Sequence, residues 1–148
     1  MRTESRITIN APRERVFEMT SDILRWPEWL PHYREVSELG RDGEAVIVRM
    51  ACHRSGIPTS WVSRYSVHRD QWQTRFEHLK AWTKGMQVVW HYDEDAASGC
   101  THIRLTHDLA FRWPPLAPLA EAVIGGFFIE HIAGRTLATF KRLLETPE

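Results

Sequence analysis

The sequence predicts an α+β fold in which a curved antiparallel sheet of about seven strands wraps around a long C-terminal helix. Three observations carry the prediction. Between Tyr33 and Phe111 apolar residues recur with a period of two, in short runs separated by turn residues. From Leu116 to Glu145 the period changes to that of a helix. Between the first strand and the meander stand two short helical patterns. An open antiparallel sheet with one apolar face needs a cover, and the terminal helix is the only element long enough to provide it.

Ser5 to Asn10 alternates, with Ile7 and Ile9 on one face, and reads as a short strand. Asn10 is placed to cap a helix that Pro12 opens and that Val16 and Phe17 make apolar on one side. Asp22 is expected to cap a second helix running through Trp26, ended by Pro27 and Pro31. Strands follow over Tyr33–Leu39, Glu44–His53, Thr59–Val67, Trp72–His78, Met86–Asp93 and Thr101–Phe111. Their turns are Gly40–Gly43, Gly56-Ile57-Pro58, Arg69-Asp70, Lys84-Gly85 and Ala96–Gly99. Trp113-Pro114-Pro115 breaks the sheet. The final helix carries a buried stripe through Leu119, Val123, Gly126, Glu130, Ala133, Leu137, Phe140 and Leu144, with a break expected near Gly125-Gly126.

Length and composition bound the function. At 148 residues the chain suits one domain spanning residues 1–148 and is too short for two. Nineteen basic residues balance nineteen acidic ones, with none of the basic excess of a nucleic-acid binder. No apolar run is long enough to span a bilayer, and Met1–Asn10 has no signal-peptide core, so a cytoplasmic location is expected. Cys52 and Cys100 read as reduced thiols. The eight histidines form no metal-binding spacing, and neither a metal nor a cofactor is expected. Seven tryptophans are the anomaly. They either fill the core or line a cavity in which a flat ring can stack on a flat ligand.

The ordered pieces Ile9-Asn10-Ala11-Pro12, Thr20-Ser21-Asp22, Trp26-Pro27-Glu28, Tyr33, Trp61-Val62-Ser63, Trp90-His91-Tyr92 and Phe140-Lys141-Arg142-Leu143-Leu144-Glu145 run over nearly the whole chain. In that order the sequence resembles the START-like helix-grip (SRPBCC) superfamily, in its polyketide cyclase/aromatase and Coq10-like branch. The resemblance implies an internal cavity that takes up a hydrophobic aromatic or poly-β-ketone molecule and promotes ring closure and dehydration. A non-catalytic carrier of a quinone, lipid or pigment-like ligand is the alternative. An acyl-carrier protein of a polyketide synthase is the implied protein partner, and both monomer and homodimer are compatible. The family's pocket tryptophans look like Trp26, Trp61 and Trp90, and its pocket tyrosine like Tyr33. Those enzymes place an inward arginine four residues after the tryptophan of the W-V-S motif. Here Tyr65 stands there, and the arginine is one position earlier, at Arg64. A one-residue shift sends a strand side chain to the opposite face. Either Tyr65 takes the polar role, or a bulge turns Arg64 inward, or the cyclase chemistry is absent.

Alternation puts Ser63, Tyr65, His78, Tyr92 and His107 on the concave face, with Met86 beside them, and the helix stripe adds Glu130. An aldol-type closure needs a base for an acidic α-proton and a donor for the enolate oxygen. His107 and Glu130 are the candidate bases. Tyr65, Tyr33 and Arg64 are the candidate donors. Ligand contacts are expected from Trp26, Tyr33, Trp61, Ser63, His78, Met86, Trp90 and Tyr92.

Overall fold

The computed structural model describes residues 2–80, 83–109 and 128–146. Its seven strands are β1 (Arg2–Ile9), β2 (Tyr33–Asp42), β3 (Ala45–Arg54), β4 (Ile57–His68), β5 (Gln73–His78), β6 (Gln87–Glu94) and β7 (Thr101–Asp108). They form one antiparallel sheet in the order β1-β7-β6-β5-β4-β3-β2. Helix α1 spans Arg13–Ser21, a single 3₁₀ turn Ile23–Arg25 leads into α2 (Trp26–Trp29), and α3 spans Glu130–Glu145. The α+β architecture read from the periodicity, which the helix-grip resemblance also implies, is therefore the one observed. Residues 110–127, which hold the end of the longest expected strand, the Trp113-Pro114-Pro115 break and the Gly125-Gly126 pair, lie outside the described residues.

The strands follow from alternation. In β7 Ile103 and Leu105 are buried while His102 is exposed, and in β6 Val88, Trp90 and Tyr92 are buried. The β3–β4 turn is tighter than expected. Only Ser55 and Gly56 lie outside the ladder, both at positive φ (52° and 79°), so Ile57 and Pro58 belong to the strand. That is the backbone pattern of a two-residue primed turn, which matches strand twist. Between β2 and β3 the chain likewise reaches Asp42 before it turns, and a register shift near Gly40 absorbs part of what reads in sequence as turn.

The caps differ from expectation. Pro12 holds the N-cap position of α1 without a side-chain cap, and the Asn10 Oδ1 instead accepts from the Cys100 thiol at 3.7 Å. Asp22 makes no capping bond either. Pro27 does not end the second helix but lies in the first turn of α2, where a missing N–H costs nothing.

The long helix packs its face of Ile132, Ala133, Thr136, Leu137, Phe140 and Leu144 against the concave side of the sheet. Its C-terminal end is fixed to β1: Lys141 Nζ donates to the Thr8 carbonyl at 2.5 Å and to Glu145 Oε2 at 2.8 Å. The same carboxylate accepts from the Asn10 amide at 2.7 Å. Among the described residues no helix is long and apolar enough to cross a membrane.

Candidate functional site

The concave face carries its inward side chains in rows that cross the strands. One row pairs Val48, Ser63 and His78. The next runs Val46, Tyr65, Phe76, Val88 and His107, and the next joins Thr74, Trp90 and Leu105. Between these rows and the start of α3 lies a cavity of about 100 Å³. Its aromatic wall is Trp26, Trp61, Phe76 and Trp90. Its polar wall is Tyr33, Thr59, Ser60, His78, Thr83, His107 and Thr136. Met50, Met86, Val88 and Leu105 line the sheet side, and Phe128, Ile129, Ile132 and Ala133 cover it.

Trp26 organises the aromatic wall. Its ring lies 5.2 Å from Tyr33, 5.7 Å from Trp90 and 5.8 Å from Phe140, and its Nε1–H donates to the Thr20 carbonyl at 3.1 Å. With the N–H satisfied, the indole offers the cavity only apolar surface. Trp61 stacks on His78, centroids 5.8 Å apart and planes within 7°. The pair forms a flat polar-edged slab beside Tyr33, whose ring is 6.1 Å from Trp61.

The cavity imidazoles are neutral at pH 7. Burial lowers the pKa of His78 to about 4. Burial, with the charge of nearby His78 acting in the same direction, lowers that of His107 to about 3. Both follow from the cost of placing a cation in an apolar, dehydrated setting. His78 Nδ1 bonds the Thr83 hydroxyl at 2.9 Å. His107 as a residue is only half-buried, but its Nδ1 is enclosed and has no hydrogen-bond partner. Burial raises the pKa of the Tyr33 phenol well above its ordinary value, so it stays protonated.

A third buried histidine stands behind this wall. His32 is 1% exposed, and its Nε2 lies 2.8 Å from Thr136 Oγ1. The Thr136 hydroxyl also lies 2.8 Å from the Ile132 carbonyl; where it donates its proton there, His32 Nε2 is the donor in the His32 contact. His32 Nδ1 is buried and has no hydrogen-bond partner. Desolvation, with the neighbouring Arg135 next in effect, lowers the His32 pKa to about 4.

Of the residues singled out in sequence, the cavity brings together Trp26, Tyr33, Trp61, His78, Met86, Trp90 and His107. It does not include the others. Tyr65 is buried and inward, but its hydroxyl donates to the Ser21 carbonyl at 2.8 Å, beneath the short helices. Tyr92 bonds Thr20 Oγ1, away from the cavity. Ser63 is wholly buried with its Oγ unpartnered, yet it does not line the cavity. Arg64 is on the outer face, where its Nε bonds Asp42 at 2.8 Å and its Nη1 bonds Glu77 at 2.6 Å. No bulge interrupts the β3–β4 pairing there, so strict alternation keeps the guanidinium outside. Glu130 is exposed at the first position of α3 rather than buried in its stripe. Phe128 and Ile129 form a wider π-type turn ahead of it, and Ile129 and Ile132, each one turn before Ala133 and Thr136, face inward. The carboxylate avoids desolvation and meets the positive end of the helix dipole. Sequence reading missed Thr136, which counting back from Phe140 in steps of four would have found. It also missed Thr83, in a loop with no periodicity to read.

An aromatic-walled cavity enclosed between a curled sheet and a terminal helix defines a helix-grip protein built to hold a small hydrophobic molecule. The chain belongs to the polyketide cyclase / dehydrase and lipid transport family, whose profile matches residues 9–129. It is 33% identical over 123 residues to a provisionally named polyketide cyclase of Streptomyces cyaneus, covering 81% of this chain and 78% of that one. A second protein of that provisional name, from Streptomyces halstedii, is 30% identical over 95 residues, 62% of this chain and 87% of the relative. The Zhui aromatase/cyclase of a Streptomyces species superposes with a TM-score of 0.80 at 20% identity, over 98% of this chain and 93% of that one. A START superfamily protein from Mycobacterium smegmatis superposes at 0.73 with 14% identity, over 96% and 98%. At these identities the two structures speak for the fold.

Proposed function

We propose that the cavity binds a hydrophobic aromatic or poly-β-ketone molecule and promotes its ring closure and dehydration, as a polyketide cyclase/aromatase does. The observation that carries this reading is a neutral imidazole, His107, opening with the Tyr33 phenol into an aromatic-walled cavity. The family and the names of the Streptomyces relatives support it.

In the reaction we propose, His107 takes a proton from a methylene flanked by two carbonyls. The resulting carbanion attacks a carbonyl carbon further along the chain, forming the ring C–C bond. The new alkoxide takes back a proton, and loss of a second α-proton with the hydroxyl releases water. Tyr33 donates to the oxygen on which charge develops. So weakly basic an imidazole can serve only where the carbon acid is itself unusually acidic, as the methylene of a β-diketone is. Glu130 and Arg64, both outside the cavity, have no part in this scheme. The substrate would arrive on an acyl-carrier protein.

The alternative, a carrier without chemistry, is favoured by one observation: among the described residues no arginine, lysine or carboxylate lines the cavity. One experiment separates the two. Protein added to a minimal polyketide synthase shifts its products toward the ring-closed, dehydrated form, and His107→Ala removes the shift while product binding persists. An unchanged product spectrum with tight product binding would establish the carrier instead.

A further inference from the structure

We infer that Phe76 is the stop that limits how far a ligand reaches into the fold, so that the site encloses one aromatic ring and holds the rest of the molecule at its mouth. The inference rests on the cavity being a hydrophobic-ligand site, as proposed above, and adds the size class of the ligand.

The row Val46, Tyr65, Phe76, Val88 and His107 crosses the concave face from β3 to β7. The cavity reaches Phe76, Val88 and His107 but not Tyr65, the next residue in the row. Tyr65 cannot swing aside without losing its hydrogen bond to Ser21, and its ring packs 4.5 Å from that of Phe76. On its other side Phe76 meets Trp26 at 6.2 Å, itself tethered to Thr20. Phe76 therefore has a fixed neighbour on each side and separates the open part of the concave face from the filled part. Along the strands the same boundary is drawn by Trp90 stacked on Tyr92, with centroids 6.3 Å apart.

Volume agrees with position. An apolar cavity of ~150 Å³ takes up benzene, and this one, partly open and about 100 Å³, has room for no more than one ring. One ring fits inside. A linearly fused second ring occupies the mouth, and a third reaches beyond the described lining. Diagonal to Phe76 lies Ser63 Oγ, wholly buried and without a hydrogen-bond partner. Removing the Phe76 ring opens a path toward that hydroxyl.

The test compares phenol, 2-naphthol and 2-hydroxyanthracene, titrated against the native chain and against Phe76→Ala. In the native chain affinity rises from one ring to two and gains less than threefold from the third. In Phe76→Ala the third ring adds tenfold or more. Phe76→Leu shows the same trend with a smaller gain, and serves where the alanine variant does not fold. A native chain that gains tenfold or more from the third ring overturns the inference, as does a folded variant with the native dependence on ring number. If none of the three ligands binds the native chain, the hydrophobic-ligand reading itself fails.

Discussion

The two ends of the concave face are built from the same kinds of residue and finish in opposite states. At the end under α1, Phe17 packs edge-on against Trp72 (5.4 Å) and Tyr92 (4.8 Å), and polar groups are spent on one another. Thr20 donates to the Val16 carbonyl, which leaves its oxygen to accept from Tyr92, and Tyr65 donates to Ser21. At the end under the start of α3, Trp61, His78, His107 and Tyr33 surround empty space, and enclosed nitrogens of His32 and His107 lack partners. Aromatic content alone therefore does not make a cavity. What differs among the described residues is the cover: two short helices press carbonyls and side chains into one end, whereas Phe128, Ile129, Ile132 and Ala133 roof the other.

Acid should break the open end first. His32 and His78 are held neutral with pKa values of about 4, against an ordinary 6.5. Between those values the unfolded chain binds more protons than the folded one, so stability falls as pH drops through 6.5 towards 4. The loss is on the order of 3 kcal/mol for each histidine. Urea unfolding at pH 7, 5.5 and 4.5 measures it, and a double His32→Gln, His78→Gln variant that kept the full pH slope would remove this explanation.

The packed end should be the more costly to hollow out. Phe17→Ala is expected to lose about 3–5 kcal/mol, because its void is sealed by fixed neighbours. Trp61→Ala, beside existing space and already partly exposed, is expected to lose less than about 2 kcal/mol while weakening ligand binding. Equal losses in unfolding midpoints would erase the distinction between the ends. A finer probe is Tyr92→Phe, which strips the donor from Thr20 and should cost about 1 kcal/mol with no change in ligand affinity. The smallest effect belongs to the outer face. Arg64→Ala removes exposed ion pairs to Asp42 and Glu77 and should cost no more than about 1 kcal/mol and leave binding and any cyclase activity unchanged. Loss of activity there would return the arginine to the site.

The sheet was legible because one face is buried along β3, β5, β6 and β7, so alternation there had only one phase to take. The same rule located Trp61, His78, Trp90 and His107 on the concave side. It could not separate residues that line a cavity from those that fill a core: Ser63, Tyr65 and Tyr92 obey the same alternation and are consumed by packing. That separation depends on what descends from the other layer, which no strand pattern records. Glu130 was misplaced because alternating steps of four and three bring it only to the edge of the helix's buried arc, where at the first position of α3 it stays exposed. His32 carries no periodic signal and became visible only through its bond to Thr136.

The pairing of β1 with β7 alone has a consequence for synthesis. Each of β2 to β6 finds its next partner across a short connection, so the meander can assemble as it leaves the ribosome. Ile7 must wait for Ile103, and Ile9 for Thr101. At roughly 5–20 residues per second that is a delay of about 5–20 s, during which the apolar side of β1 has no strand beside it. Closure of the grip is thus a late, long-range event, and the nascent chain is most exposed to misassociation just before it.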